Sequence, residues 1–254
     1  MKLGLVTYNL AKDWDLSRIV HICETTGFRG VELRTTHAHG VEASLDPAGR
    51  QAVRDLFAAS SVELVGLGTV FEFHSRDPEE LRRNLEGTKE YLRLARDVGA
   101  AGVKVRPNGR QEAAGVPLEL TLEQIGRCLR ACGEDAADLG VELRLEMHGE
   151  VAEARHIRRI MEVADHPSVG VCWNSNPLDV KGGSVRADFE LVRPWIRLVH
   201  ISELWSASYP YRELLTLLRE AGYEGYCCAE IPASPEPERL MRYYRALFEA
   251  LSRA

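Results

Sequence analysis

The sequence predicts an α/β protein built as a single (β/α)8 barrel (TIM barrel), with residues 1–254 forming one domain. Short apolar or alternating segments recur eight times along the chain, and a longer segment with helical periodicity follows each of them. Strands that alternate with helices, without a run of hairpin turns, indicate right-handed βαβ units and a parallel sheet. A chain of 254 residues is a usual length for such a barrel, and no Pro/Gly/Ser-rich linker divides it.

The eight predicted strands are short and mostly apolar. In chain order they are LGLVTY (3–8), GVELR (30–34), VELVGLG (62–68), GVKVRP (102–107), VELRLEM (141–147), VGVCW (169–173), IRLVHIS (196–202) and YCCAEI (226–231). Eight strand–helix units allow a parallel sheet to close into a barrel. An open doubly wound sheet is the alternative, but it usually carries a glycine-rich phosphate loop after its first strand. The corresponding segment here, TYNLAKD, contains no glycine.

Two of the intervening helices can be delimited by their end signals. In the first, Asp77 is the predicted N-cap, Pro78 occupies the first helical position and Gly99 ends the helix. In the second, Thr121 and Gln124 are predicted to form a capping box at the start of an amphipathic segment. Both patterns indicate helices that lay one apolar face on the sheet.

Composition limits the class of partner. The net charge of −6 and the pI near 5.8 argue against a nucleic-acid or acidic-membrane partner, either of which favours a basic face. No apolar stretch approaches the roughly 20 residues of a membrane-spanning helix, and no signal peptide is recognisable. The six cysteines include no C-x-x-C pair and most of them lie in apolar segments, so we expect reduced thiols in a cytoplasmic protein.

Polar and ionisable side chains follow seven of the predicted strands. Because the carboxyl ends of barrel strands meet at one rim, where the active site of such enzymes lies, we expect these side chains to converge. In chain order they are Arg34, His37 and His39; Glu72 and His74; Lys104, Arg106 and Asn108; Glu146 and His148; Asn174 and Asn176; His200 and Glu203; and Glu230.

Alternation in VELRLEMH (141–148) indicates which side chains face the barrel interior. Its apolar residues share one face and are predicted to lie under the helices. Arg144, Glu146 and His148 then point inward, where charges are costly unless they have partners.

The same parity places Asn174, His200 and Glu230 on interior faces. Together with Glu146 they provide two carboxylates, an imidazole and an amide oxygen. This set of oxygen and nitrogen donors suits a divalent ion such as Mn, Mg, Zn or Co.

At these positions the chain resembles the sugar phosphate isomerase/epimerase family, also called xylose isomerase-like barrels. The resemblance spans nearly the whole length, through GFRGVELR, LRLEMHG, GVCWN, LVHISE and GYEGYCCAEI. It implies a metal site made by a Glu, an Asp, a His and a Glu on strands five to eight. These map onto Glu146, Asn174, His200 and Glu230.

The chain departs from the family pattern at three positions. Asn174 stands where the family has Asp, so the resemblance implies weaker metal binding, because an amide contributes a dipole in place of a charge. Ketose epimerases of the family also place a His and an Arg where this chain has Pro177 and Ser206. The resemblance therefore does not extend to the pocket of those epimerases.

The activity implied by the resemblance is metal-assisted proton transfer next to a carbonyl of a sugar or sugar-like polyol, carried out by a protein that can be a homo-oligomer. Glu146 and Glu230 are expected to be the catalytic base and acid. The residues expected to bind the substrate are Glu72, Lys104, Arg106, His148, Asn176 and Glu203.

Three other functions remain open from the sequence. A carbon–oxygen lyase acting on keto-glycosides needs the same first proton abstraction. The related apurinic-site endonucleases use a larger cluster of histidines, for which His37, His39, His74 and His148 are candidates, although the acidic net charge weighs against DNA. A non-catalytic sugar-binding barrel is favoured by the missing Asp and disfavoured by the two retained glutamates and His200.

Overall fold

The computed structural model describes residues 1–253 and forms a closed barrel of eight parallel strands in the order β1 to β8. The strands are β1 (Lys2–Val6), β2 (Gly30–Arg34), β3 (Glu63–Glu72), β4 (Gly102–Arg106), β5 (Glu142–Glu146), β6 (Val169–Asn174), β7 (Ile196–Ile201) and β8 (Tyr226–Ala229). The helices are α1 (Leu16–Thr26), α2 (Pro47–Ala58), α3 (Pro78–Val98), α4 (Leu118–Leu139), α5 (Ala154–Ala164), α6 (Arg186–Val192), α7 (Tyr211–Glu220) and α8 (Pro237–Arg253). The predicted (β/α)8 TIM barrel is confirmed.

All eight predicted strands are present, with small differences at their ends. β3 is longer than predicted and runs to Glu72, with an irregular register against β4 between Gly68 and Glu72. β8 ends at Ala229, so Glu230 lies just beyond the strand. The division of residues 1–254 into one domain stays a prediction.

The helix signals were reliable for α3 and not for α4. Asp77 caps α3 through its side chain, Pro78 opens the helix and Gly99 ends it in the left-handed conformation. The predicted capping box at Thr121 and Gln124 is wrong, because α4 begins at Leu118, immediately after Pro117. Proline has a fixed φ that suits a helix start, and Thr121 consequently lies inside the first turns.

Two apolar layers lie on the two faces of the sheet. The main core fills the space between strands and helices, and it includes Val141, Leu143, Leu145 and Met147 as the alternation predicted. A second, smaller cluster lies apart from the main core and comprises Val6, Val65, Cys172, Leu198, Tyr226 and Cys228. Its members share strand parity with the interior-facing polar groups, and these two sets together fill the barrel.

The cysteines and helices agree with two further expectations. All six cysteines are buried and free. Among residues 1–253, none of the helices has the length and apolar composition needed to cross a membrane. The cytoplasmic location stays a prediction.

Candidate metal centre and active site

Glu146, His200 and Glu230 meet at the carboxyl end of the barrel. Each offers one ligand atom, and these atoms lie within 4.8 Å of one another. Glu146 is the last residue of β5, His200 lies near the end of β7 and Glu230 follows β8. The closure of the barrel brings together three residues that are far apart in sequence.

Asn174 lies beside this cluster. It ends β6 and is paired in register with His200 on β7. Its side-chain amide lies 3.4 Å from Glu146 Oε1. All four residues that the sequence assigned to a metal site therefore lie in one region, although their role as ligands stays a prediction.

His200 has polar neighbours on both sides of its ring, but neither makes a hydrogen bond. Nδ1 lies 3.4 Å from Glu146 Oε1 and Nε2 lies 3.3 Å from Glu32 Oε1. Both nitrogens are buried without a hydrogen-bond partner. A ring nitrogen without a partner, facing carboxylates and an amide, has the donor chemistry that a divalent ion requires. The residues present therefore fit a metal ion.

Ionic interactions inside the barrel set the protonation of His200. Burial by itself disfavours the imidazolium, but Cys172 and the carboxylates of Glu32 and Glu146 outweigh it and hold the pKa of His200 well above its usual value. His200 would have to release that proton to act as a metal ligand, because metal ligands must be deprotonated.

Lys104 is the second ionic partner of Glu146. Its Nζ donates to Glu146 Oε2 over 2.7 Å, and the two side chains are only 1% and 2% exposed. Burial opposes ionisation of Glu146, but Lys104 and then His200 outweigh it and hold the pKa of Glu146 well below its usual value. Glu146 is thus kept as a carboxylate, the form that can accept a proton.

Glu32 belongs to the same cluster, and the sequence reasoning missed it. It lies in the middle of β2 and is completely buried. The sequence signal that could have found it is period-2 parity, which places Glu32 on the same face as Arg34 at the strand end.

Arg34 lies next to Glu230 on the outer side of the cluster. Its Nη1 is 3.7 Å from Glu230 Oε1, and its guanidinium lies 5.7 Å from the centre of the Tyr8 ring. Arg34 was noted at the strand end but not assigned a role. Its contact gives Glu230 a cationic neighbour, as Lys104 does for Glu146.

A hydrogen-bonded network containing three of the expected substrate residues lies beside the centre. Glu72 accepts from Arg106 Nη2 over 3.0 Å and from the side-chain amide of Asn108. With its NH2 group so engaged, Asn108 presents its oxygen to His148 Nδ1, 2.6 Å away. Nδ1 therefore carries the hydrogen and Nε2 of His148 is left as an acceptor. Burial also lowers the pKa of His148, which favours the neutral ring.

Asn108 links Glu72 to His148 in this network, and its position there depends on local backbone geometry. It adopts the left-handed conformation, with φ of 45°, and bridges to Gly149 in the loop after β5. A Cβ on Gly149 would lie 2.7 Å from Asn108 Cα, so the close approach of these two loops requires glycine.

Asn176 and Glu203 are turned toward other partners. The amide of Asn176 donates to the backbone oxygens of Met147 and Asn174, over 2.7 and 3.3 Å. Glu203 accepts from the indole of Trp205, an exposed residue, at the edge of a cavity of about 310 Å3. Their role in substrate binding stays a prediction.

The chain belongs to the family of xylose isomerase-like TIM barrels, whose family model matches residues 20–251. No curated protein sequence matches the chain. The identification of the family from the sequence is thereby confirmed.

Solved structures of this fold cover nearly the whole chain at low identity. The apo 3-keto-D-glucoside 4-epimerase YcjR from E. coli is 17% identical, with a TM-score of 0.81 over 98% of this chain and 99% of its own. The IOLI protein with a binding zinc atom is 15% identical, with a TM-score of 0.80 over 99% and 98%. The probable 3-DHS dehydratase AsbF from Bacillus anthracis is 17% identical, with a TM-score of 0.74 over 98% and 99%. Likeness at this level of identity establishes the fold alone.

Proposed function

We propose that this protein is a divalent-metal-dependent isomerase or epimerase that transfers a proton next to the carbonyl of a sugar or sugar-like polyol. The observation that carries the proposal is the convergence of Glu146, His200 and Glu230 within 4.8 Å at the carboxyl end of the barrel. The fold neighbours include a sugar epimerase and a zinc-containing protein, and both agree with it.

Glu146, Asn174, His200 and Glu230 would hold the ion, which is Mn, Mg, Zn or Co. With both carboxylates ionised and His200 neutral, the four ligands carry two negative charges and balance a divalent cation. When bound, such an ion polarises a carbonyl and a neighbouring hydroxyl and so acidifies the C–H between them.

Glu146 is suited to remove the proton. Lys104 and His200 keep it ionised, and it lies with His200 and Glu230 at the carboxyl end of the barrel, where a substrate would enter. Glu230 comes from β8, three strands further round the barrel, and is less buried. It would approach the substrate from another side and exchange the proton there, with Arg34 beside it.

The network of Glu72, Arg106, Asn108 and His148 would bind the hydroxyl groups. It offers fixed donors on Arg106 and an acceptor on His148 Nε2, which is the mixed set that a polyol needs. Lys104, Asn176 and Glu203 remain proposed substrate residues, of which Lys104 acts through Glu146. The partner is a small-molecule sugar or sugar derivative, and a homo-oligomer is the proposed assembly.

A carbon–oxygen lyase is the second candidate, because elimination begins with the same proton abstraction. One fold neighbour is a probable dehydratase, which favours keeping this alternative. After the shared step the two reactions differ only in whether the proton returns or a leaving group departs.

The test is metal analysis of the purified protein, followed by a panel of keto- and aldo-sugars and keto-glycosides with product analysis by NMR. An epimer or isomer of the same mass supports the proposal, whereas a dehydrated product or a released aglycone supports the lyase. A protein that contains stoichiometric metal and converts none of these compounds would contradict both.

A further inference from the structure

Glu32 is a buried carboxylate without a hydrogen bond. It is completely inaccessible to solvent, and neither side-chain oxygen has a hydrogen-bond partner. A buried carboxylate in this state is strongly unfavourable unless a specific partner compensates it. The cost of placing Glu32 here indicates that a group in contact with it requires its charge.

His200 is the group nearest to Glu32. Its Nε2 lies 3.3 Å from Glu32 Oε1, whereas the buried ammonium of Lys104 is paired with Glu146. In the register with β1, Glu32 pairs with Val6, a member of the small apolar cluster inside the barrel.

The backbone is shaped to admit this carboxylate. A Cβ added at Gly68, on the adjacent strand β3, would lie 2.7 Å from Glu32 Oε1. A side chain at position 68 would require the Glu32 carboxylate and the neighbouring Arg34 side chain to shift. The space for Glu32 therefore depends on glycine at that position.

We infer that Glu32 is a positioning residue: the 3.3 Å contact lacks hydrogen-bond geometry in this structure, but with the ion bound Glu32 accepts the Nε2 hydrogen of His200 and thereby leaves Nδ1 free to bind the ion. This inference rests on the proposed metal dependence. Nδ1 is the ring nitrogen that faces Glu146, 3.4 Å from its Oε1. A carboxylate that holds the second nitrogen of a ligating histidine fixes its tautomer and orientation and makes it a better ligand.

Glu32 also replaces a charge near the centre. Among the four residues proposed to bind the ion, Asn174 contributes no charge. Glu32 is not one of these four, but its carboxylate contacts the far side of the His200 ring. The negative charge of Glu32 would thus strengthen ion binding by making His200 a better ligand, although Glu32 itself would not contact the ion.

The experiment compares Glu32→Leu and Glu32→Gln with the matched control Asp188→Asn. Asp188 is also a buried carboxylate with a cationic partner, Lys181 at 2.6 Å, but it lies on α6 and is not one of the residues of the proposed centre. Mn2+ and Zn2+ are titrated into each protein by calorimetry after treatment with EDTA, and circular dichroism checks that each variant is folded.

Glu32→Leu, which has no acceptor, is expected to weaken binding of both ions by about 10- to 100-fold. Glu32→Gln keeps an acceptor oxygen and should lose less, and Asp188→Asn should bind like the wild type. Should the Leu variant fail to fold, 15N NMR of the histidines with Zn2+ bound is the second measurement. His200 is expected to carry its hydrogen on Nε2 in the wild type, and also in the Gln variant because glutamine still offers an acceptor oxygen.

Three results would overturn the inference. Wild-type affinity in folded Glu32→Leu, or a wild-type His200 with its hydrogen on Nδ1, would mean that Glu32 has only a structural role, and the proposed function would stand. A wild-type protein that binds neither ion would overturn the metal dependence and the role of Glu32 together.

Discussion

The buried ion pair between Lys104 and Glu146 gives a quantitative prediction. Replacement of Lys104 by Met keeps the length and apolar part of the side chain and removes the ammonium, which lies 2.7 Å from Glu146 Oε2. Glu146 is then left as a buried carboxylate with His200 as its remaining partner. Removing one member of a buried pair costs about 3–5 kcal/mol, so we expect Lys104→Met to lower the free energy of unfolding by that amount.

The control is the same substitution at a more exposed ion pair. Lys89 lies 2.9 Å from Asp135, and both side chains are about one third exposed. Lys89→Met should therefore cost less than about 1 kcal/mol. The assay is urea unfolding of metal-free protein, monitored by circular dichroism. The free energies of unfolding of the variants are compared when their m-values are equal.

Metal binding distinguishes the proposed centre from a purely structural ion pair. Removal of the ammonium leaves Glu146 with one competing cation fewer, so Mn2+ should stabilise Lys104→Met more than it stabilises the wild type. A loss as small as that of Lys89→Met, or equal stabilisation of both proteins by Mn2+, would refute this description of the cluster.

Four further predictions concern residues of the site and Asp179, which is buried in the short turn after β6. Glu146→Gln and Glu230→Gln should each lower turnover by about 10^2- to 10^4-fold with the fold intact, because an amide cannot carry the proton; near wild-type turnover would remove that residue from the mechanism. Asn174→Asp should bind Mn2+ more tightly and Asn174→Ala more weakly in calorimetric titration, and unchanged binding by both would show that Asn174 is not a ligand. Arg106→Ala should raise KM in steady-state assays, whereas a loss of stability with unchanged kinetics would indicate a structural role. Burial raises the pKa of Asp179 from 3.8 to about 7, so the folded protein retains a proton that the unfolded chain releases, and stability falls as pH rises through this window. Asp179→Asn should therefore match the wild type near pH 4 and exceed it at pH 8 by up to about 4 kcal/mol in urea unfolding, and equal stability at pH 8 would contradict the raised pKa.

The barrel could be predicted from the sequence because its signals are local and repeated. Each strand is a short apolar run, and period-2 parity within VELRLEMH (141–148) indicated the inward direction of Glu146. Parity alone also indicated that Asn174, His200 and Glu230 share the interior.

Features that depend on register or on backbone conformation were not predictable in the same way. That Lys104 pairs with Glu146 follows from how β4 and β5 align, which the sequence of either strand does not specify. The network around Asn108 depends on its positive φ and on the contact with Gly149. The predicted start of α4 was wrong because the capping signal at Thr121 competes with Pro117, which precedes the actual first residue of the helix, Leu118.

Hydrogen–deuterium exchange at the carbon next to the carbonyl tests the central proposal most directly. A keto-sugar or keto-glycoside that the protein binds is incubated in D2O with metal-loaded protein, and incorporation of deuterium is followed by NMR. We predict exchange that is lost on treatment with EDTA, returns when Mn2+ is added back, and is absent in Glu146→Gln. Exchange that persists in metal-free protein, or in Glu146→Gln at the wild-type rate, would contradict metal-dependent proton transfer by this site.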